Sequence, residues 1–352
     1  MTTRMIVVNG RFLGHRITGV ERYAGEILAE LDKIIPPGCL ILAVPPEVKS
    51  IPEYKRIKVE RIGRFHNHLW ENISFPIFVK SKRAISLNLC NSAPLIDPGI
   101  ACIHDVKIKA RPQDFTFRFL LWYTVMFHNT CKKAKILITV SNFSKNEICT
   151  YYGITSERIV VVNNAWQHYE RIVEDPCALS KNGLVEQGYY LALCSLEPNK
   201  NIKWISEVAR KNSGITVAVA GSINKSVFAE GDSLSKPANL KLLGYVSDEE
   251  AKTLMKCCRA FLFPSFYEGF GIPPLEAIAS GARRIAVSGI PAMKEIYDRG
   301  VYYLNPNDPG SFDVSDFEKT IMSDEDKSYY LKKYTWKESA SRIKKIIDSV
   351  SG

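Results

Sequence analysis

Residues 265–282 read SFYEGFGIPPLEAIASGA, with two glutamates, Glu268 and Glu276, eight positions apart. Gly269, Phe270 and Gly271 follow the first, and Pro273 and Pro274 precede the second. Neither an amphipathic helix nor a strand explains that order. Proline is excluded from a helix interior but suits its first position, where no N–H is needed, so Pro274 is expected to open a helix through Leu275, Ile278 and Ala279. Glu276 then falls in its first turn, and Glu268 and the glycines fall on the loop that feeds it. Glycine permits close backbone approach, and a helix N-terminus favours phosphate. Carboxylates repel phosphate but accept from sugar hydroxyls. Two of them flanking a phosphate site suit a nucleotide sugar, with a ribose on one side and a hexose on the other. A capped helix carrying surface acids would give the same letters.

Three further stretches supply context. In LALCSLEPNKNIKWISEVA, residues 191–209, a strand ends, Pro198 and Asn199 turn the chain, and Lys200 stands before a helical pattern of Ile202, Ile205, Val208 and Ala209. A lysine there is placed to neutralise a diphosphate as a point charge. In GHRITGVERYAGEIL, residues 14–28, Thr18 and Glu21 form a capping box around Gly19, whose backbone can approach a phosphate. His104 follows the apolar run of residues 101–103 and precedes Asp105, where an imidazole could donate to a sugar hydroxyl or serve the core.

The chain has 352 residues, enough for two domains, and 46% hydrophobic residues. No segment approaches the ~18 uncharged apolar residues of a membrane span. The start lacks a secretory pattern, and the nine cysteines are scattered without a C-x-x-C pair, as expected of reduced thiols in a cytoplasmic protein. Residues 1–165 carry 23 Lys+Arg against 13 Asp+Glu, a net of +10, while residues 166–352 carry 24 of each. A basic half suits nucleic acid, an anionic membrane surface or a phosphorylated substrate, and equally a surface tuned for solubility.

Short apolar runs alternate with amphipathic stretches, the pattern of an α/β protein. Strands are expected at Met5–Val8, Leu40–Val44, Ala84–Leu89, Ala101–Ile103, Ile136–Val140 and Ile159–Val162, then at Tyr189–Leu193, Thr216–Ala220, Leu240–Leu243, Ala260–Phe263, Arg284–Ala286 and Val301–Tyr303. Turn residues such as Gly221-Ser222 follow many of them. Residues 166–188 show no period and read as a link, and Tyr334–Val350 reads as a helix. The expected architecture is two doubly wound domains facing a cleft. Other motifs fail: His66-Asn67-His68 lacks metal-ligating acids, and Asp324-Glu325-Asp326 reads as a solvated helix start. Pro274 stands where a dinucleotide fingerprint needs its third glycine, and no P-loop occurs.

Taken together, EGFGIPPLE, SLEPNKN, TGVERY, IHD, ITVSNFSKNEI and LLGYVSDEE resemble signature segments of the retaining glycosyltransferases of family 4, over most of the chain. The resemblance implies the GT-B fold: a Rossmann-like acceptor-binding domain at 1–170, a nucleotide-sugar domain at 171–335, and a C-terminal helix at 336–352 packing back on the first domain. It implies a catalytic set of Glu268, His104 and Lys200. It also implies a donor-binding set of Gly19, Ser195, Lys200, Tyr245, Phe270, Gly271, Ile272, Leu275 and Glu276. Glu268 would hold donor-sugar hydroxyls and Glu276 the ribose. Lys200 would bind the diphosphate, and the backbone near Tyr245 would read the base. Many relatives place an arginine where Ser195 stands, which raises the question whether Arg283 or Arg284 replaces it.

The resemblance implies transfer of a hexose, best matched as mannose from GDP-mannose, to a glycan or lipid-linked acceptor in polysaccharide or O-antigen assembly. It implies no metal and no other cofactor, no nucleic-acid partner, and a cytoplasmic protein able to lie on the inner membrane face through its basic half. UDP- or dTDP-sugar donors and a non-catalytic nucleotide-sugar binder are the alternatives. A glycoside hydrolase using Glu268 and Glu276 would leave Lys200 and the glycine loop without a role.

Overall fold

Two parallel sheets organise the protein in a computed structural model that describes residues 4–195, 197–221 and 236–351. Leu196, within the SLEPNKN segment, and Ser222, read above as part of a turn, lie outside the described residues. The first sheet holds β1 (Ile6–Asn9), β2 (Leu40–Val44), β3 (Lys58–Arg61), β4 (Ile85–Asn88), β5 (Ile100–Cys102), β6 (Ile136–Thr139) and β7 (Ile159–Val161), in the order β3-β2-β1-β4-β5-β6-β7. The second holds β8 (Tyr189–Leu193), β9 (Thr216–Ala220), β10 (Leu240–Gly244), β11 (Ala260–Phe263), β12 (Ile285–Ser288) and β13 (Tyr302–Leu304), in the order β10-β9-β8-β11-β12-β13. Inner strands such as β1, β2, β4 and β11 are buried at every position, as they must be with helices on both faces.

Each expected strand is present to within two residues at either end. β3 was not expected. Its residues, Lys-Val-Glu-Arg, form an edge strand paired only with β2, and an edge tolerates polar side chains that an inner strand cannot.

The chain divides into two compact units, Trp166–Lys333 and the remainder, which runs to Ala165 and resumes at Tyr334. The expected boundaries stood at 170/171 and 335/336. In the first unit the helix Trp336–Ser351 lies by the helix Gly19–Ile34, where Trp336 meets Tyr23 edge-on at 5.9 Å and Ser339 Oγ donates to the Asn163 carbonyl at 2.7 Å. In the second unit Asn201, at φ 57°, caps the helix Ile202–Lys211. That helix buries Trp204, Ile205 and Val208 against Val217, Val219 and Leu262 of the sheet. Each such side chain contributes roughly 1.5–3 kcal/mol of burial.

Candidate donor site

Strand order reverses between β8 and β11 in the second sheet, and between β1 and β4 in the first. In an open parallel sheet, ligands bind beyond the carboxyl ends of the strands at such a reversal. The loops after β8 and β11 are therefore the natural ligand edge of the second unit, and they carry Ser195, Lys200 and Glu268.

The two loops are stitched together by asparagines. Asn199 Nδ2 donates to the Tyr267 carbonyl at 2.7 Å, and Phe266 N donates to the Asn199 carbonyl at 3.0 Å. Asn201 Nδ2 donates to the carbonyls of Pro264 and Pro306 at 3.0 and 2.8 Å. This seam brings Lys200 Nζ to 2.7 Å from Glu268 Oε1, with Nζ also 5.2 Å from the centre of the Phe263 ring. Burial works against the Lys200 ammonium, but the adjacent Glu268 carboxylate outweighs it and holds its pKa above the ordinary value. The charges expected for diphosphate and for sugar are thus each other's partners.

Gly271 takes φ 76°, a conformation strained for any residue with a side chain, and a Cβ there would crowd Met293 and Phe263, at 2.7 Å from Met293 Cε and 3.2 Å from Phe263 Cε1. The helix it caps runs Ile272–Ser280, two residues earlier than expected. Pro273 and Pro274 both fit because the first turn has no intrahelical use for their N–H groups. Glu276 consequently lies beyond the first turn rather than in it. The side chains of Phe270, Ile272 and Leu275 are buried, which leaves their backbone for any ligand. Ser195 is exposed beyond β8, and Tyr245, 68% exposed, follows β10, two strands out from β8.

Glu276 has a partner that sequence reasoning missed. His168 Nε2 lies 2.8 Å from Glu276 Oε1, with His168 only 2% exposed. The stretch read as a structureless link begins the second unit and contains the short helices His168–Arg171 and Ala178–Lys181. A lone histidine in an aperiodic stretch carries no signal of such a contact. Arg283 and Arg284 immediately precede β12, at the edge of the parallel sheet opposite the Lys200 loop. Arg283 pairs with Asp324 at 2.7 Å, and Arg284 Nε donates to the Glu318 carbonyl at 3.0 Å. Neither stands in for the arginine absent at Ser195.

In the first unit, Gly19 opens its helix, and the capping box forms, with Thr18 N donating to Glu21 Oε2 at 3.2 Å. Tyr23 of that helix meets the His104 ring edge-on at 4.8 Å. His104 is 5% exposed, and its Nε2–H donates to the Leu89 carbonyl at 2.9 Å. That corrects the expected donor role: with its proton on Nε2, the imidazole offers Nδ1 as an acceptor. Burial lowers its pKa to about 4.

A polar pocket lies at the β1/β4 reversal, lined by Asn9, Arg11, His15, Asn88 and Ser92 among others. Beneath it Glu71 is fully buried on a π-helical turn, Trp70–Ser74. It accepts from Asn9 Nδ2 at 2.8 Å and Ser92 Oγ at 2.7 Å, with His68 Nδ1 at 3.2 Å and Arg11 Nε at 3.4 Å. Burial works against the Glu71 carboxylate, and His68, Arg11 and Ser92 together hold its pKa below the ordinary value. Two helical stretches nearby expose apolar residues every fourth position: Leu69, Ile73 and Ile77 on one, Phe117, Leu121 and Val125 on the other. Contacts of His68 with Trp122 and Tyr123 join them. Among the described residues no helix is long and apolar enough to cross a membrane.

Two parallel-sheet Rossmann-like units with this strand order match the GT-B fold, and residues 180–349 are similar to the family described as Glycosyl transferases group 1. Among curated relatives, the O-antigen chain mannosyltransferase RfbU of Salmonella typhimurium is 27% identical over 331 residues, covering 87% of this chain and 88% of that one. O-antigen chain mannosyltransferase B of Escherichia coli is 28% identical over 225 residues, which span 60% of this chain and 58% of its own length. Among solved structures, sucrose-phosphate synthase from Thermosynechococcus elongatus superposes with a TM-score of 0.72 at 11% identity, covering 99% of both chains. HepE of Anabaena, solved with UDP and glucose, gives 0.68 at 12%, covering 99% of this chain and all of that one.

Proposed function

We propose that this protein is a retaining glycosyltransferase that moves mannose from GDP-mannose to a glycan or lipid-linked acceptor in the assembly of a cell-surface polysaccharide. The Lys200–Glu268 pair beside the Gly271-capped helix, at the strand-order reversal, carries this reading. The relatives named as O-antigen mannosyltransferases support the choice of sugar.

In this reading the sugar diphosphate lies at the start of the Ile272–Ser280 helix, where the backbone N–H groups of Gly271 and Ile272 meet it. Lys200 turns from Glu268 toward the departing diphosphate as its negative charge grows, and no metal is assigned a step. Glu268, relieved of part of its partner, accepts from hexose hydroxyls and orients the ring. Glu276 accepts from the ribose, and the backbone near Tyr245 meets the base. The C–O bond to the diphosphate breaks, the acceptor oxygen bonds to the same carbon from the same face, and the acceptor's proton passes to the leaving phosphate oxygen.

The exposed apolar stripes suit the surface of an anionic bilayer, where a lipid-linked acceptor would reside. Residues 115–135 contain no Asp or Glu but include Arg118, Lys132, Lys133 and Lys135, so charge and apolar exposure favour the same partner. Flotation with anionic vesicles should carry the protein upward, and a Phe117→Ser, Leu121→Ser variant should stay behind. Equal flotation of both would remove the stripes from the reading. For the donor site, a thermal-shift panel of GDP, UDP, dTDP and CMP with their sugars decides. A ligand at a hundred times its dissociation constant adds about 2.7 kcal/mol. Stabilisation by GDP alone, lost in Glu276→Ala, is expected. Stabilisation by UDP or dTDP instead would replace the base, and no response to any would overturn the donor site.

A further inference from the structure

We infer that His168 is a positioning residue that sets the carboxylate of Glu276 for the ribose of the donor. The inference rests on Glu276 being the ribose carboxylate and adds the group that orients it. A glutamate side chain ends in a torsion with broad, two-fold preferences, so burial alone does not decide where its oxygens point. Here the imidazole Nε2–H donates to Oε1 at 2.8 Å, and among the described residues Oε2 has no hydrogen-bond partner. One oxygen is tethered, and the other is left to accept from the vicinal hydroxyls of a ribose.

The imidazole is itself held. Its short helix, His168–Arg171, is pinned to the helix Asp248–Cys257 by Lys252, whose Nζ donates to the carbonyls of Tyr169 and Ile172 at 2.7 and 2.8 Å. A ligand-binding group whose orienting partner is fixed in this way is pre-organised. Stability gives little reason for the pair. A buried polar pair is commonly matched by apolar residues of similar volume, and Glu276 lies beyond the first turn, the one place where an acid would serve the helix dipole.

The test compares ribose with a ribose lacking its hydroxyls. Titration calorimetry with GDP and 2′,3′-dideoxy-GDP, and with the UDP pair, gives a discrimination ratio for each protein. Two hydrogen bonds to a charged acceptor should make the wild-type ratio at least about tenfold. His168→Phe, which fills the space but cannot donate, should reduce it to within about threefold of unity. His168→Gln places an amide N–H near the position of Nε2 and should restore most of it. Circular dichroism and melting confirm folding, and if His168→Phe does not fold, His168→Ala takes its place. A wild type that binds neither diphosphate would overturn the donor site itself, and one that binds without discriminating would remove Glu276 from the ribose. With wild-type discrimination intact, an unchanged ratio in His168→Phe, or equal weakening of both nucleotides, would overturn only the role of His168.

Discussion

Charge is buried in both units, and the two sites differ in how completely it is satisfied. In the first unit Glu71 has no exposure and is surrounded by Asn9, Ser92, His68 and Arg11. In the second, Lys200 and Glu268 meet through one contact, with side chains 20% and 13% exposed. The Glu71 carboxylate, already held on both oxygens, has little left to offer a ligand and serves the fold. A single pair at the rim of a sheet can exchange partners, which is what binding a charged ligand requires.

The largest expected effect tests the saturated side. Arg11→Met leaves Glu71 short of its guanidinium in a fully buried position, and unfolding in urea should show a loss of about 3 kcal/mol. A loss below about 1 kcal/mol would mean that His68 and the amides suffice, and the contrast between the sites would shrink.

Acid should weaken the same unit through His104. Its folded pKa of about 4 lies below the ordinary 6.5, so the unfolded chain binds the proton first as pH falls. Stability from this group is complete above about pH 6.5 and declines between there and pH 4, by up to about 3 kcal/mol. Unfolding measured at pH 7 and pH 4.5 should differ more in wild type than in His104→Gln. Equal slopes would mean the imidazole is not held neutral.

Gly271→Ala stands between the two kinds of site. Positive φ and the clash with Met293 should together cost about 1–3 kcal/mol, read as a lowered melting temperature, and should also impair GDP binding. Normal stability with normal binding would mean that the loop relaxes freely.

The smallest effect on stability is expected at the open site. Lys200→Met should cost less stability than Arg11→Met, because Lys200 and Glu268 keep some contact with solvent, at 20% and 13% exposed, and Glu71 keeps none. GDP affinity should nevertheless fall at least tenfold. Substantial destabilisation with unchanged GDP affinity would invert the contrast between the two sites.

Much of the fold was legible in the letters. Apolar runs of four or five residues mark inner strands because both their faces are covered, and β3 escaped because one covered edge does not demand an apolar run. Lys200, Glu268 and Gly271 stood out because prolines and glycines there break every helical or strand pattern. His168 did not, since nothing local distinguishes a buried histidine from a solvated one. The onset of the Ile272–Ser280 helix was misjudged by two residues because two adjacent prolines fit more than one register.

The amino-acid order by itself determined the alternation of strands and helices, the backbone freedom at Gly271 and the imbalance of charge between the halves. These are local properties, set by torsions, periodicity and composition. Only the tertiary structure decided that Lys200 faces Glu268, that His168 holds Glu276, that His104 donates from Nε2 to the Leu89 carbonyl, and that Arg283 and Arg284 lie at the far edge of the sheet. Each of those depends on strand order, and strand order follows from packing between segments as much as a hundred residues apart, where no short-range pattern reaches.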